Sequence, residues 1–354
     1  MREVIVIKQL QPECLLRVPR HIPAKPRFPV IDIHTHWGKL LGAMEQTEHY
    51  FDLYETKDAV AKIKSHGVQK VVNLDGFFGE ELCRVREKLR GEEDFFIHFG
   101  QVDVERFEEA AFEKMVYQAV KQLHADGVRG LKFWKVIGLG LKDSRGGYLR
   151  PDDARLGCIW QAAAEFHMPV LFHIGDLNAF FTPIDEKNEY RDTLLLHPEW
   201  SFNAPGFYSF AELMAMQENL LSQNPKTQFI IAHMGSYAEN LAQVGRWLDT
   251  YPNMHVDIAD RLNELGRQPY TARAFFNRYA DRIVFGTDLL PTDIERYPIY
   301  WEFLETFNEY FPYRTERGIA LGNWNIYGIG LEDAVLQKIY YENAAKLLKE
   351  EPHG

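Results

Sequence analysis

Cysteine is scarce. Only Cys14, Cys83 and Cys158 occur in 354 residues. An odd number with no close spacing builds neither a disulfide framework nor a CxxC metal site. A reducing compartment, the cytoplasm, is the expected location. Long apolar runs are missing as well. The N-terminal run VIVI (residues 4–7) is flanked by charge and too short for a signal-peptide core or a membrane span. Positive charge is in deficit, with 40 Lys and Arg against 51 Asp and Glu, net −11. That argues against a nucleic-acid or anionic-membrane surface. No GxGxxG, GxxxxGK[ST] or GxSxG is present, so dinucleotide, P-loop and serine-hydrolase readings lose their main support.

What remains is ordinary globular composition, 46% hydrophobic and 26% charged, which excludes disorder for most of the chain. Pro12, Pro19, Pro23, Pro26 and Pro29 make residues 1–29 an extended arm, with a short strand expected at 3–7. A passive leader is the favoured role for it. Residues 30–354 read as one domain.

After Pro29 short apolar runs alternate with amphipathic stretches. The expected strands are 30–34, 69–74, 95–100, 128–134, 169–173, 228–233, 254–259 and 282–286. The expected helices are 57–66, 80–90, 107–125, 152–167, 210–223, 238–249, 271–280 and 333–349. Gly67 and Gly91 stop the first two, and Asp152, Asp153 and Ser209 can cap later ones. Eight strand–helix units imply an α/β fold, a closed (β/α)8 TIM barrel.

Polar residues fall at strand ends. His34 and His36 close strand 1, His173 strand 5 and His233 strand 6. Asp288 follows strand 8, and Lys132 lies near the end of strand 4. In a barrel all these ends meet at one face. His34 and His36, two apart on a strand, share a face. With His173 and Asp288 they would form a nitrogen/oxygen site. Such a set suits Zn²⁺ first, with Mn²⁺ or Fe²⁺ less favoured. Any one of these residues alone is more often a hydrogen-bonded core or turn residue. Four strand ends carrying the right types are much harder to obtain by accident.

The ordered segments DIHTH (32–36), LFHIGD (171–176), IAHMG (231–235), FGTDL (285–289) and YENAAKLL (341–348) resemble the amidohydrolase superfamily. The nearest likeness is to the amidohydrolase-related branch that includes aminocarboxymuconate-semialdehyde decarboxylase. The resemblance covers roughly residues 30–349. It implies one divalent metal held by His34, His36, His173 and Asp288, with His233 as a catalytic acid/base or substrate-orienting residue. Asp288 would take the proton of the activated water. Lys132 is either a carboxylated ligand for a second metal, a substrate cation or a snorkelling side chain, and the substrate cation is favoured.

The expected reaction is hydrolysis of an ester, lactone or amide of a small organic acid. Non-oxidative decarboxylation of an aromatic or muconate-like acid is the alternative, and a silent binding barrel the third reading. Of the cations near the presumed mouth (Lys132, Lys135, Arg150, Arg191, Arg261 and Arg267), Arg261 is the first choice for a substrate carboxylate. A surface arginine paired with Glu264 is its bland alternative. Asp176 is either an outer partner of the metal site or a loop cap. Asp257 and Asp260 should not both face inward, because odd spacing on a strand separates them. Two long connections, 176–208 and 289–330, are rich in aromatics. They read as a wall or lid over the site, or as packed core or a homodimer contact.

Overall fold

The computed structural model describes residues 14–38, 51–75, 78–313 and 324–350. The strand expected at 3–7 lies outside these. Each apolar run forms a strand: β1 Val30–Thr35, β2 Val68–Asn73, β3 Phe96–Gly100, β4 Gly130–Phe133, β5 Val170–Phe172, β6 Phe229–Ile231, β7 Met254–Asp257 and β8 Ile283–Val284. All pair in parallel, in sequence order. β8 has two residues, so the seam to β1 closes mainly beyond it. Ile33 N donates to Phe285 O (2.9 Å), Asp288 N to His34 O (2.8 Å) and His36 N to Leu289 O (3.2 Å). The architecture is a nearly closed (β/α)8 barrel.

The inside of the barrel is aliphatic. Ile31, Ile33, Val72, Ile97, Leu171, Ile230 and Val284 pack there with Phe99. A larger cluster fills the space between strands and helices. Both faces of the sheet are thus covered, as a parallel sheet requires. The last helix adds Ala344, Ala345 and Leu348 to the inner cluster. Its Lys346 and Leu347 share a cleft with Pro169 and Gln228, just ahead of β5 and β6, so this plug seals the N-terminal end of the strands. The C-terminal ends are left for chemistry.

The expected helices form, some shorter than expected: the one at 107–125 starts at Phe112, and the one at 152–167 spans Gly157–Glu165 after a turn that Asp153, not Asp152, caps. Ser209 and Glu212 make a reciprocal capping box for Phe210–Gln223. Among the described residues no helix is long and apolar enough to cross a membrane.

The two long connections carry helices that the sequence reading did not expect, and the second takes the packed-core alternative. The first holds a short helix, Arg191–Leu196, and the second a nine-residue helix, Tyr297–Glu305. Tyr297, Tyr300, Trp301 and Phe303 are fully buried, so this stretch is core rather than a lid. The arm is not passive either. Arg20 makes a two-pronged pair with buried Glu302 (2.5 and 2.8 Å), and Arg27 N donates to Glu305 (3.0 Å). Two buried carboxylates on that helix therefore find their charge partners in the arm, beside donors from Asn308 and Tyr340.

Candidate metal centre

Three imidazoles at the C-terminal face share one pattern. Each commits Nδ1 to a fixed acceptor and turns Nε2 toward Asp288. His34 Nδ1 donates to Asp257 Oδ2 (2.8 Å). His36 Nδ1 donates to Asp75 Oδ1 (2.6 Å). His233 Nδ1 donates to the Ala259 carbonyl (2.9 Å). The Nε2 atoms of His36 and His34 then lie 3.0 and 3.3 Å from Asp288 Oδ1, and that of His233 lies 3.9 Å from Oδ2. One ligand atom each from His34, His233 and Asp288 falls within 4.8 Å of the others.

The backbone is strained where it delivers these groups. After β6 the chain makes a left-handed turn, with φ of 57° at His233, 57° at Met234, 69° at Gly235 and 59° at Ser236. Each non-glycine residue in that region costs about 1–2 kcal/mol. Asp257, fully buried, offsets this by accepting from His233 N (2.7 Å) and Ala259 N (3.1 Å) while also holding His34. Asp288 is left-handed too, at φ 63°. Its neighbour Thr287 is tied by Oγ1 to Asp32 Oδ2 (2.6 Å). A Cβ on Gly286 would sit 2.9 Å from the His34 Cβ and 3.3 Å from the Asp257 Cβ, so only glycine lets β8 come this close. Strain of this kind clusters at functional sites.

Electrostatics follow from the packing. Burial would raise the Asp288 pKa, but His34 and His36 hold it well below the usual carboxylate range. Burial would depress His36, yet Asp75 and Asp288 raise it to about 9. Burial, with His173 and Arg261 adding to it, keeps His233 neutral. Neutral His233, donating from Nδ1, has a bare Nε2 that is buried and without a hydrogen-bond partner. It can accept a proton or bind a cation. It cannot donate to an oxyanion in that state.

His173 is the expected ligand that stands apart. Its Nε2 donates to Asp176 Oδ1 (3.1 Å), and its ring meets that of His233 edge-on at 4.3 Å. Burial lowers its pKa to about 4. Asp176 is pinned in turn by Lys135 Nζ (2.5 Å). Lys132 reaches the centre, with Nζ 3.4 Å from His34 Nε2, and burial lowers its pKa to about 8.

Arg261 is buried, 3% exposed, which overturns the surface-arginine alternative. Glu264 bonds Tyr190 instead, and Arg261 sits 4.0 Å from Asp176. Arg150, Arg191 and Arg267 pair elsewhere, with Asp152, Asp192 and Glu189. Asp260 bonds Tyr313 and Arg296 beyond the strand end (2.9 and 3.4 Å), where strand alternation no longer applies. Its low-order neighbour in the chain, Asp257, is the one that reaches His34.

Asp75 was missed by sequence reasoning, and Asp257 was not given its role. Both follow the rule that found the others, a carboxylate where an apolar run ends. Together with Asp288 they face the imidazoles, as outer partners do around bound metals. In the metal-free site the raised pKa of His36 lets its Nε2–H donate to Asp288, and a cation would take the place of that proton. The donor set fits a divalent cation, which His34, His233 and Asp288 would hold, with His36 alongside. His173 could join through Nδ1 or after leaving Asp176.

A family model described as amidohydrolase matches residues 31–349. The chain belongs to the amidohydrolase family. Several solved structures resemble this amidohydrolase in fold. A 2,6-dihydroxybenzoate decarboxylase from Rhizobium is 16% identical, with a TM-score of 0.55, over 91% of this chain and 98% of that one. A probable 2-pyrone-4,6-dicarboxylic acid hydrolase from Acinetobacter baumannii is 9% identical, with a TM-score of 0.51, over 90% and 99%. An amidohydrolase from Burkholderia multivorans with bound zinc is 12% identical, with a TM-score of 0.51, over 91% and 99%. No curated protein matches the chain in sequence.

Proposed function

We propose that this amidohydrolase is a cytoplasmic, metal-dependent hydrolase that cleaves an ester, lactone or amide of a small organic acid. The observation that carries the reading is the convergence of three Nδ1-anchored imidazoles on Asp288. Zinc suits the nitrogen/oxygen donors best. When bound, it would supply an activated water near neutral pH and a Lewis acid for a carbonyl.

The chain's own residues do the rest. Asp288, ionised and partly exposed, takes the proton released in the attack and returns it to the leaving group. His233 offers a second proton acceptor on the same side. Lys132 and Arg261, both buried, supply the positive charge that holds a substrate carboxylate.

Those same buried cations favour a second reading, loss of CO₂ from an acid held at the site. The decarboxylase among the similar folds gives it weight. Turnover of aromatic and muconate-like acids and of their lactones, followed for CO₂ and for new carboxyl groups, separates the two. Water-dependent acid production without CO₂ is expected. CO₂ without hydrolysis would replace the leading reading by the second. Absence of stoichiometric metal from the purified protein would overturn both.

A further inference from the structure

The metal centre draws its imidazoles and carboxylates from β1, β6, β7 and β8 and from the loop after β2. The loops after β3 and β4 contribute none. Their inward positions can still be traced by alternation. Ile97 and Phe99 face the inner cluster, so Gln101 is the next inward residue above β3. Lys132 touches His34, so Trp134 is the next on that side of β4. Phe133 between them packs outward on Trp160 and Phe172.

Gln101 and Trp134 line one cavity of about 260 Å³. They are 7% and 8% exposed. The Gln101 amide bonds no described residue and stays open to solvent, whereas Trp134 Nε1 is buried with no hydrogen-bond partner. Buried polar groups are rarely left so. Val136 and Leu141 add apolar wall, and the charged groups of the lining, Glu81 and Asp103 among them, are all acidic. No residue that meets Asp288 lines the cavity; its link to the centre is β4, where Trp134 follows by two residues the Lys132 that reaches His34.

We infer that this cavity is the distal half of the substrate pocket and takes an uncharged ring bearing a hydroxyl or carbonyl oxygen, not a second carboxylate. The volume exceeds the roughly 150 Å³ that holds a benzene ring, leaving room for a substituent. Gln101 both donates and accepts, which suits a hydroxyl, and the indole can only donate. The acidic lining repels a carboxylate. The inference rests on the proposed function for the reacting end of the substrate, but the cavity can be tested without it.

The test is titration of ¹⁵N-labelled full-length protein, with and without Zn²⁺, by phenol, benzoate, 3-hydroxybenzoate and isophthalate. The Trp134 indole signal is identified by its loss in Trp134→Phe. Phenol should move that signal in both metal states. 3-Hydroxybenzoate should bind about tenfold tighter than benzoate, the effect of one hydrogen bond, and at least about tenfold tighter than isophthalate.

Gln101→Leu should erase the preference for the hydroxyl and leave zinc binding in place. Should that variant unfold, Gln101→Glu serves instead and should weaken all three acids relative to phenol. An indole signal that phenol never moves, or isophthalate bound as tightly as 3-hydroxybenzoate, overturns the inference. Movement by phenol in a protein that takes up no zinc supports the cavity and sinks the metal reading, so the two failures are distinguishable.

Discussion

Leu171 and His173 stand two residues apart on the same side of β5, and the step between them crosses from floor to rim. Below it, Ile31, Ile33, Ile97, Leu171, Ile230 and Val284 fill the barrel with side chains that only pack. Above it, Asp257, Lys132 and Asp288 meet His34, Asp75 and Asp288 meet His36, and Asp176 holds His173, while the chain bends into left-handed conformations at His233 and Asp288. The floor supplies stability and the rim holds strain. The difference teaches that metal affinity and folding stability reside in different layers of the same strands, and mutations should separate them.

The largest expected effect is at the rim. His34→Ala removes an imidazole that meets Asp288, Lys132 and Asp257 at once. Metal analysis should show loss of bound metal by more than the roughly 10–100-fold that removing an outer partner costs, with activity lost in parallel. The metal-free protein should also lose about 1–3 kcal/mol, because buried Asp257 is left without the imidazole N–H, so metal affinity is the measurement that marks the rim. Leu171→Ala is the counterpart on the floor. It should cost about 2–5 kcal/mol of stability in denaturant unfolding, with metal affinity retained. If Leu171→Ala released the metal at unchanged stability, the layers would not be separate.

Asp257→Asn comes next. Asparagine can still accept from the backbone of His233 and Ala259, but it presents an amide N–H to His34 Nδ1–H. His34 must then move its proton to Nε2, the nitrogen meant for the metal. Metal affinity should fall roughly 10–100-fold in a competition titration.

The pH dependence of stability should come from below the rim. Burial lowers His98 on β3 to about 4 and His255 on β7 to about 3. Both pKa values lie below the unfolded value of about 6.5. The unfolded chain therefore binds more protons as pH falls, and stability declines from about pH 6.5 toward 4. His98→Gln should flatten that decline in denaturant melts of the metal-free protein. An unchanged slope would remove His98 from the account.

Much of this was legible in the residues. The eight strands read directly, because buried parallel strands are short apolar runs between helices. His34, His36 and Asp288 could be paired because chemistry-bearing residues ended those runs. Asp75 and Asp257 carried the same signal. The left-handed turn at His233 was not legible, because nothing in IAHMG but Gly235 favours positive φ. The orientation of His173 depends on Lys135 pinning Asp176, a contact between distant segments. The helix Tyr297–Glu305 was hidden by its burial. Tyr297, Tyr300, Trp301, Glu302, Phe303, Leu304 and Glu305 are all inside, so no polar stripe marks it. Pro298 sits in its first turn, a position that accepts proline.

That helix gives the finest test of the division between layers. Tyr297 Oη donates to Asp32 Oδ2 (2.7 Å), and Asp32 also accepts from Thr287 Oγ1 (2.6 Å), Thr287 N (3.1 Å) and His34 N (3.1 Å). Burial pushes Asp32 up to about 6 even with these donors. Tyr297→Phe removes one donor of four and keeps the packing of the ring. The expected cost is about 1 kcal/mol, or about 2 °C in the melting temperature of a chain this long. Three donors still fix Asp32, and Asp32 still fixes Thr287 beside Asp288, so metal affinity should change by less than about threefold. A loss as large as that of Asp257→Asn would show that the strained rim is held through this helix and not through Asp257 alone, and the boundary between floor and rim would have to be drawn around Tyr297.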